Sequence, residues 1–287
     1  MPTLIDLRRR IRGVRSSQRV TQAMKTVSMA KFRKAQRTVL ETRPYWHVFP
    51  LIMAKAASWA GDVDHPLVWT RKEKRVEVMV VSSEKGLAGS FNSNLFLKAQ
   101  AFIQEKSQAA KLNFVLVGKK AVNFFKRQNL DVDRAYPEKI DKMGREEIKE
   151  LAEYFMRLYA FSKTDAVYVV YNEFKSILSP RITIAKILPV TLPPPGDGAA
   201  GITPDWEPEA LPLLNSLLPL YVESQVHHAL FESQAAEHAA RMMAMDNATK
   251  NAEDLIADLV LLLNKIRQAS ITKEILEIMT AVEALAK

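Results

Sequence analysis

The chain has 287 residues, 48% of them hydrophobic, and sets 41 Lys/Arg against 32 Asp/Glu for a formal charge of +9. That apolar content excludes bulk disorder. The complete absence of cysteine excludes a disulfide scaffold, a thiolate metal site and a cysteine nucleophile. No apolar run reaches the roughly 18 residues that predict a membrane span. The N-terminus, MPTLIDLRRRIRG, has charges where a signal peptide needs its apolar stretch, so the sequence reads as soluble and unexported.

In chain order, the first predicted element is a long helix over 1–60. Val14 to Arg43 contains no Gly or Pro, and Gly13 alone costs only about 1 kcal/mol in a helix. Leu4, Leu7, Ile11, Val14, Gln18, Thr21, Lys25, Ser28, Phe32, Ala35 and Val39 alternate in steps of three and four. This is a coiled-coil seam whose middle is polar. The charge concentrates here: residues 1–55 hold 13 Lys/Arg and two acids, a balance of +11.

A central α/β domain is expected over 75–190. RVEVMVVS (75–82), KLNFVLVG (111–118), DAVYVVYN (165–172) and RITIAKILPV (181–190) read as strands. Helical stretches near Asn92–Lys106, Lys119–Gln128 and Arg145–Ser162 fall between them. Strands alternating with helices predict a largely parallel sheet. Residues 191–212 read as a Pro-rich linker or surface loop, since seven of the 14 prolines fall within 189–212.

The last element, 213–287, is a second long helix, free of Gly and Pro after Pro219. Leu255, Leu259, Leu262 and Ile266 form one apolar stripe, and Ile271, Ile275, Ile278, Val282 and Leu285 another. Residues 212–287 carry six Lys/Arg and ten Asp/Glu, a balance of −4. Helices this long need a partner, and an antiparallel coiled coil of the basic and acidic termini is the expected pairing.

No catalytic constellation emerges. SSEKGLAGSFNSNL (82–95) is a Gly-containing turn between a strand and a helix, which can offer N–H groups to a phosphate. It lacks both the P-loop and the G-x-G-x-x-G spacing, so a tight turn capped by Ser90 or Asn92 is preferred. His227 or His228 lies about three helical turns from His238, too far to share one ion even with Asp246 nearby. The basic N-terminal run could contact DNA phosphates, as in a basic coiled-coil DNA-binding protein. Its seam, however, begins at Leu4, inside the basic run, and a large α/β insertion separates the two helices.

Polar clusters interrupt both helices: QRVTQAMKTVSMAK (18–31), AARMMAMDNATKNAEDL (239–255) and KIRQASITKEI (265–275). Polar seam positions cost stability, and suit a surface that meets another partner or an interface that must break and re-form.

RRRIRGVRSSQRVTQAMKTVSMAKFRKAQ (8–36) resembles the N-terminal helix of the γ subunit of F-type ATP synthases. ESQAAEHAARMMAMDNATKNAEDLI (232–256) and LNKIRQASITKEILEIM (263–279) resemble its C-terminal helix, and SSEKGLAGSFNSN (82–94) the first turn of its central domain. One departure stands after Glu277, where Ala281-Val282 replaces the usual Gly-Ala. The resemblance implies a central rotor shaft that couples proton flow through a membrane ring to ATP synthesis or hydrolysis on neighbouring β subunits. It implies no catalytic site and no cofactor in this chain. The implied partners are the α and β subunits, the ε subunit and the ring of c subunits, without nucleic acid or a direct membrane span. The implied place is the cytoplasmic face of a bacterial inner membrane. The matched motifs carry Met24, Lys25, Arg241, Gln268, Thr272 and Glu274 as expected interface or coupling residues.

Overall fold

A computed structural model describes residues 3–60, 63–128, 130–138, 140, 143–176, 181–192 and 209–285. Most of the expected linker, 193–208, lies outside the described residues. The chain divides into two compact units, Met1–Ser28 with Met242–Lys287, and Met29–Arg241.

Helix α1 runs from Leu4 to Ala60 and helix α5 from Ala210 to Leu285. Pro44 and Pro50 lie inside α1 and Pro219 inside α5. A proline in a helix interior costs about 3 kcal/mol. Buried neighbours on both helices, Met53, Ala54 and Ala56 on one and Leu214, Leu218 and Val222 on the other, offset that cost by packing into the core.

In the larger unit, β1 (Arg75–Val81), β2 (Lys111–Val117), β3 (Val132–Tyr136), β4 (Ala166–Glu173) and β5 (Arg181–Leu188) form one sheet in the order β3-β2-β1-β4-β5. All pairings are parallel except β4 with β5. Helices α2 (Phe91–Ser107), α3 (Lys119–Phe125) and α4 (Arg145–Ala160) make the crossovers. Strand β3 was not anticipated. It is a short edge strand in which Asp133 and Ala135 are exposed and Val132, Arg134 and Tyr136 half-buried, so it lacks the apolar run that marks its neighbours.

Alternation along the strands divides the core. Val76, Val78 and Val80 pack with Phe114, Leu116 and residues of α2 and α3 on one face. Met79, Val81, Val115, Val117, Val167 and Val169 pack on the other with Ile148, Leu151 and Phe155 of α4. Met53 and Ala56 of α1, and Leu214, Leu218, Val222 and Val226 of α5, join this second cluster. The terminal helices therefore form part of the layer covering the sheet.

In the smaller unit the terminal helices pack antiparallel. Leu7 and Ile11 close on Leu259, flanked by Val14, Val260, Leu263 and Ile266. All eleven positions of the predicted α1 seam are buried or half-buried. The α5 stripe differs from expectation: Leu255 and Leu262 are 38% and 40% exposed, while Ile256 and Leu263, one position later in each case, turn inward. This stretch of α5 is apolar on several sides, so the facing helix, not the pattern, sets its phase.

Candidate functional site

The N-terminal polar cluster meets the first C-terminal one in a ladder. Gln18 donates to Glu253 at 3.1 Å, the Thr21 and Thr249 hydroxyls pair at 2.8 Å, and Lys25 reaches Asp246 at 2.6 Å. Lys250 takes the other Asp246 oxygen at 3.2 Å. Hydrogen bonds from Lys25 and Lys250 hold the Asp246 carboxyl below its ordinary range. Side chains on opposite helices thus satisfy much of the polar seam. Directional polar pairs fix register where apolar packing alone would permit slippage.

The charge outcome is narrower than a basic helix set against an acidic one. Arg8, Arg9, Arg10, Arg12, Arg15 and Arg19 are exposed, and among the described residues they form no ion pair. They interleave with the inward positions Leu7, Ile11, Val14 and Gln18, and helical geometry turns them outward.

Among the described residues, the α1–α5 apolar contact reaches Ile266 and includes no residue of α5 beyond it. Ile271, Ile275, Ile278 and Val282 are 49 to 63% exposed. Among the described residues nothing covers Ile271, Ile275, Ile278 and Val282 of the second apolar stripe.

The six sequence-selected residues fall into three settings. Met24 and Lys25 are half-buried on α1. Gln268, Thr272 and Glu274 are exposed near the C-terminal end of α5, with the Thr272 hydroxyl donating to the Gln268 carbonyl at 3.0 Å. Arg241 departs from the expected partner surface: it is buried, at 9% exposure. Its guanidinium pairs with Glu237 at 2.7 Å and donates to the Lys85 carbonyl at 3.1 Å. It grips the turn after β1, and its first role is inside the chain.

That turn is structural throughout. The Ser82 hydroxyl donates to the Val117 carbonyl at 3.1 Å and accepts the Ala121 N–H at 2.8 Å. Gly118, at φ +89°, must be glycine, because a Cβ there would stand 2.2 Å from the Ser82 carbonyl oxygen. Ser90 occupies the N-cap position of α2 without a side-chain cap bond, and Asn92 instead accepts the Ser83 N–H at 3.2 Å. The expected capping by Ser90 or Asn92 gives way to a Ser83–Asn92 clasp that closes the turn on itself.

The sheet reverses its winding direction between β1 and β4, the place where open α/β sheets hold ligands. Here Arg241 lies against the turn after β1, and Glu232 bonds the Phe174 N–H just after β4. The chain's own helix occupies that position. The Glu232 contact went unforeseen, although an acid three, four and seven residues before Ala235, Ala236 and Ala239 lies on a small-residue buried face.

His227 and His228 are packing residues. His228 lies edge-on to Trp46, with ring centroids 4.0 Å apart, and burial pulls it down to about 4. His227 stands 3.7 Å from Glu223. Among the described residues no group of three or more His, Cys, Asp or Glu could hold a metal, and no helix is long and apolar enough to cross a membrane.

The family model for ATP synthase matches residues 3–285. The ATP synthase gamma chain of Pelotomaculum thermopropionicum is 41% identical over 285 residues, covering 99% of this chain and all of that one. That of Anaeromyxobacter dehalogenans is 43% identical over 289 residues, with coverage of 99% and 100%. Among solved structures, a chain in the Euglena gracilis mitochondrial ATP synthase, titled OSCP/F1/c-ring in rotational state 3, superposes with a TM-score of 0.66 at 21% identity, covering 98% of this chain and 94% of that one. A chain from the central stalk/c-ring of the Tetrahymena thermophila enzyme gives 0.59 at 23% identity, covering 80% and 99%. These two likenesses bear on the fold alone. Full-length identity above 40% to gamma chains, together with paired terminal helices flanking an α/β domain, leads to one conclusion: the chain belongs to the ATP synthase gamma-chain family, a non-catalytic subunit that serves as the rotor shaft of its complex.

Proposed function

We propose that this chain turns inside a head of α and β subunits, and that its exposed surfaces are the working contacts. The observation that carries this reading is the bare end of α5, where Ile271, Ile275, Ile278 and Val282 stay exposed after α1 has ended. An apolar stripe of this kind belongs against a partner. Gln268, Thr272 and Glu274 lie on the same segment and are the proposed polar contacts to the head. Met24 and Lys25 are proposed to act at the polar ladder, and Arg241 to act indirectly, through the turn it holds.

The exposed arginines of α1 suit acidic loops on the surrounding subunits. Contacts of this kind are screened by salt and reversible, as a rotating surface requires. Torque is then a coupling free energy: different faces of the shaft favour different conformations of the catalytic sites. The ε subunit and the ring of c subunits are the proposed partners of the α/β unit, on the cytoplasmic face of a bacterial membrane.

Co-purification tests this reading. The chain should be recovered with α and β subunits as one ATP-hydrolysing complex. Recovery of the chain alone, from cells that assemble the complex without it, would refute the assignment.

A further inference from the structure

Within the larger unit, one side chain from each terminal helix converges on a single main-chain residue. Glu232 of α5 has a side chain only 2% exposed. Its Oε2 accepts the Phe174 N–H at 2.9 Å, and its Oε1 lies 3.4 Å from Nη2 of Arg43 on α1. The same Nη2 donates to the Phe174 carbonyl at 2.9 Å. Phe174 directly follows β4, which pairs with the central strand β1. Its ring lies edge-on to Phe32 at 5.3 Å, among Val39, Ala235, Ala236 and Ala239.

On one side the surrounding contacts are apolar, and on α5 they are largely alanine; Glu173, Lys175 and His228 line the other side. Apolar packing resists separation but is non-directional, so it opposes sliding and twisting only weakly. Charge-assisted hydrogen bonds are directional and about twice as strong as neutral ones. Twisting the helices against the sheet would break them and strand the Glu232 carboxylate in a buried site, a costly state. Arg241 adds a second hold on the turn after β1, nine residues and roughly 13 Å further along α5.

We propose that Arg43, Glu232 and the Phe174 main chain form the torque-bearing joint through which the terminal helices and the sheet turn as one body. Arg43 and Glu232 are positioning residues. They touch no nucleotide and act by keeping the sheet from lagging behind the helices. The proposal rests on the rotor reading above.

The test uses the full chain assembled with α and β subunits. Because the protein has no cysteine, Ser107→Cys places a single thiol on the exposed end of α2 for a bead, with the head fixed to a surface. Torsional stiffness is read from the bead's angular fluctuations in the native background and in Glu232→Gln and Arg43→Lys. Stiffness should fall by about twofold or more in both variants, because Glu232→Gln removes the charge from the acceptor of the Phe174 N–H and Arg43→Lys replaces a rigid guanidinium with a flexible, shorter ammonium, while ATP hydrolysis without load stays unchanged. A purely structural role would leave the stiffness of assembled complexes unaltered. Native stiffness in either assembled variant would overturn the joint and leave the rotor reading intact. Failure of both conservative variants to assemble would reduce the contact to a folding element and also overturn the proposal. ATP hydrolysis without rotation of the Ser107→Cys bead in the native background would overturn the rotor reading itself.

Discussion

The two compact units are stabilised by different means. In Met29–Arg241 both faces of the sheet are covered and large side chains such as Phe114, Phe125, Phe155 and Tyr159 are fully buried. In the unit formed by the two chain ends, the buried apolar set centres on Leu7, Ile11 and Leu259, and hydrogen-bonded polar pairs take over the seam. The first arrangement gives a rigid body. The second gives a register-fixed pair of helices that turns the α1 arginines outward and leaves the apolar end of α5 bare.

The contrast can be broken most strongly in the α/β core. Phe155→Ala should cost about 3–5 kcal/mol. Trp46 and Trp69 belong to the larger unit, so the tryptophan fluorescence midpoint in urea should move with it. An unchanged midpoint would deny that unit its sheet-centred core.

The next effect is on pH. Glu77 is buried on the central strand at 2% exposure, with an oxygen lacking a hydrogen-bond partner. Burial, with Asp133 nearby, pushes its carboxyl up to about 8. The folded state then holds a proton that the unfolded chain releases near its ordinary value, so stability falls as pH rises from about 4.5 to about 8 and levels off above. Thermal melts across that window should show the fall, and Glu77→Gln should remove most of it. An identical slope in the variant would contradict the assignment.

Leu259→Ala should cost about 2 kcal/mol, the low end for a buried leucine, because its site is bordered by half-exposed neighbours. Circular dichroism should register early helix loss while tryptophan fluorescence stays in place. Simultaneous shifts of both signals would show that the two units unfold as one.

The smallest effect belongs to the ladder. Asp246→Ala should lower stability only slightly, and less at high salt, because Lys25 and Lys250 remain partly solvated. Replacing Thr21 and Thr249 together by Val should raise the melting temperature slightly while impairing ATP-driven rotation, if polarity there serves register rather than stability. Improved rotation in that double variant would refute this role.

Much of this contrast was legible in the sequence. The α1 seam was readable because one apolar and small-residue stripe runs along an otherwise charged helix. The α5 phase was not, because IADLVLLLNKI is apolar on several faces and only the opposing Leu7 and Ile11 select Leu259 as the inward residue. Strand β3 escaped because an edge strand needs only half a face of apolar residues. Of the candidate residues, Gln268, Thr272 and Glu274 lie on exposed helix surface. Arg241 turned inward, since a position on a helix does not reveal which carbonyls a turn some 155 residues away will present. The Arg43–Glu232–Phe174 joint has no linear signature, because its three parts are brought together only by the packing of both helices on the sheet.

The account stands on rotation of this chain within a complex of α and β subunits. Its most direct test is to fix that complex by the head, attach a bead to the Ser107→Cys thiol, and supply ATP. Unidirectional, stepwise rotation that stops when ATP is exhausted is the predicted result. ATP hydrolysis at the full rate with a stationary bead would contradict the account.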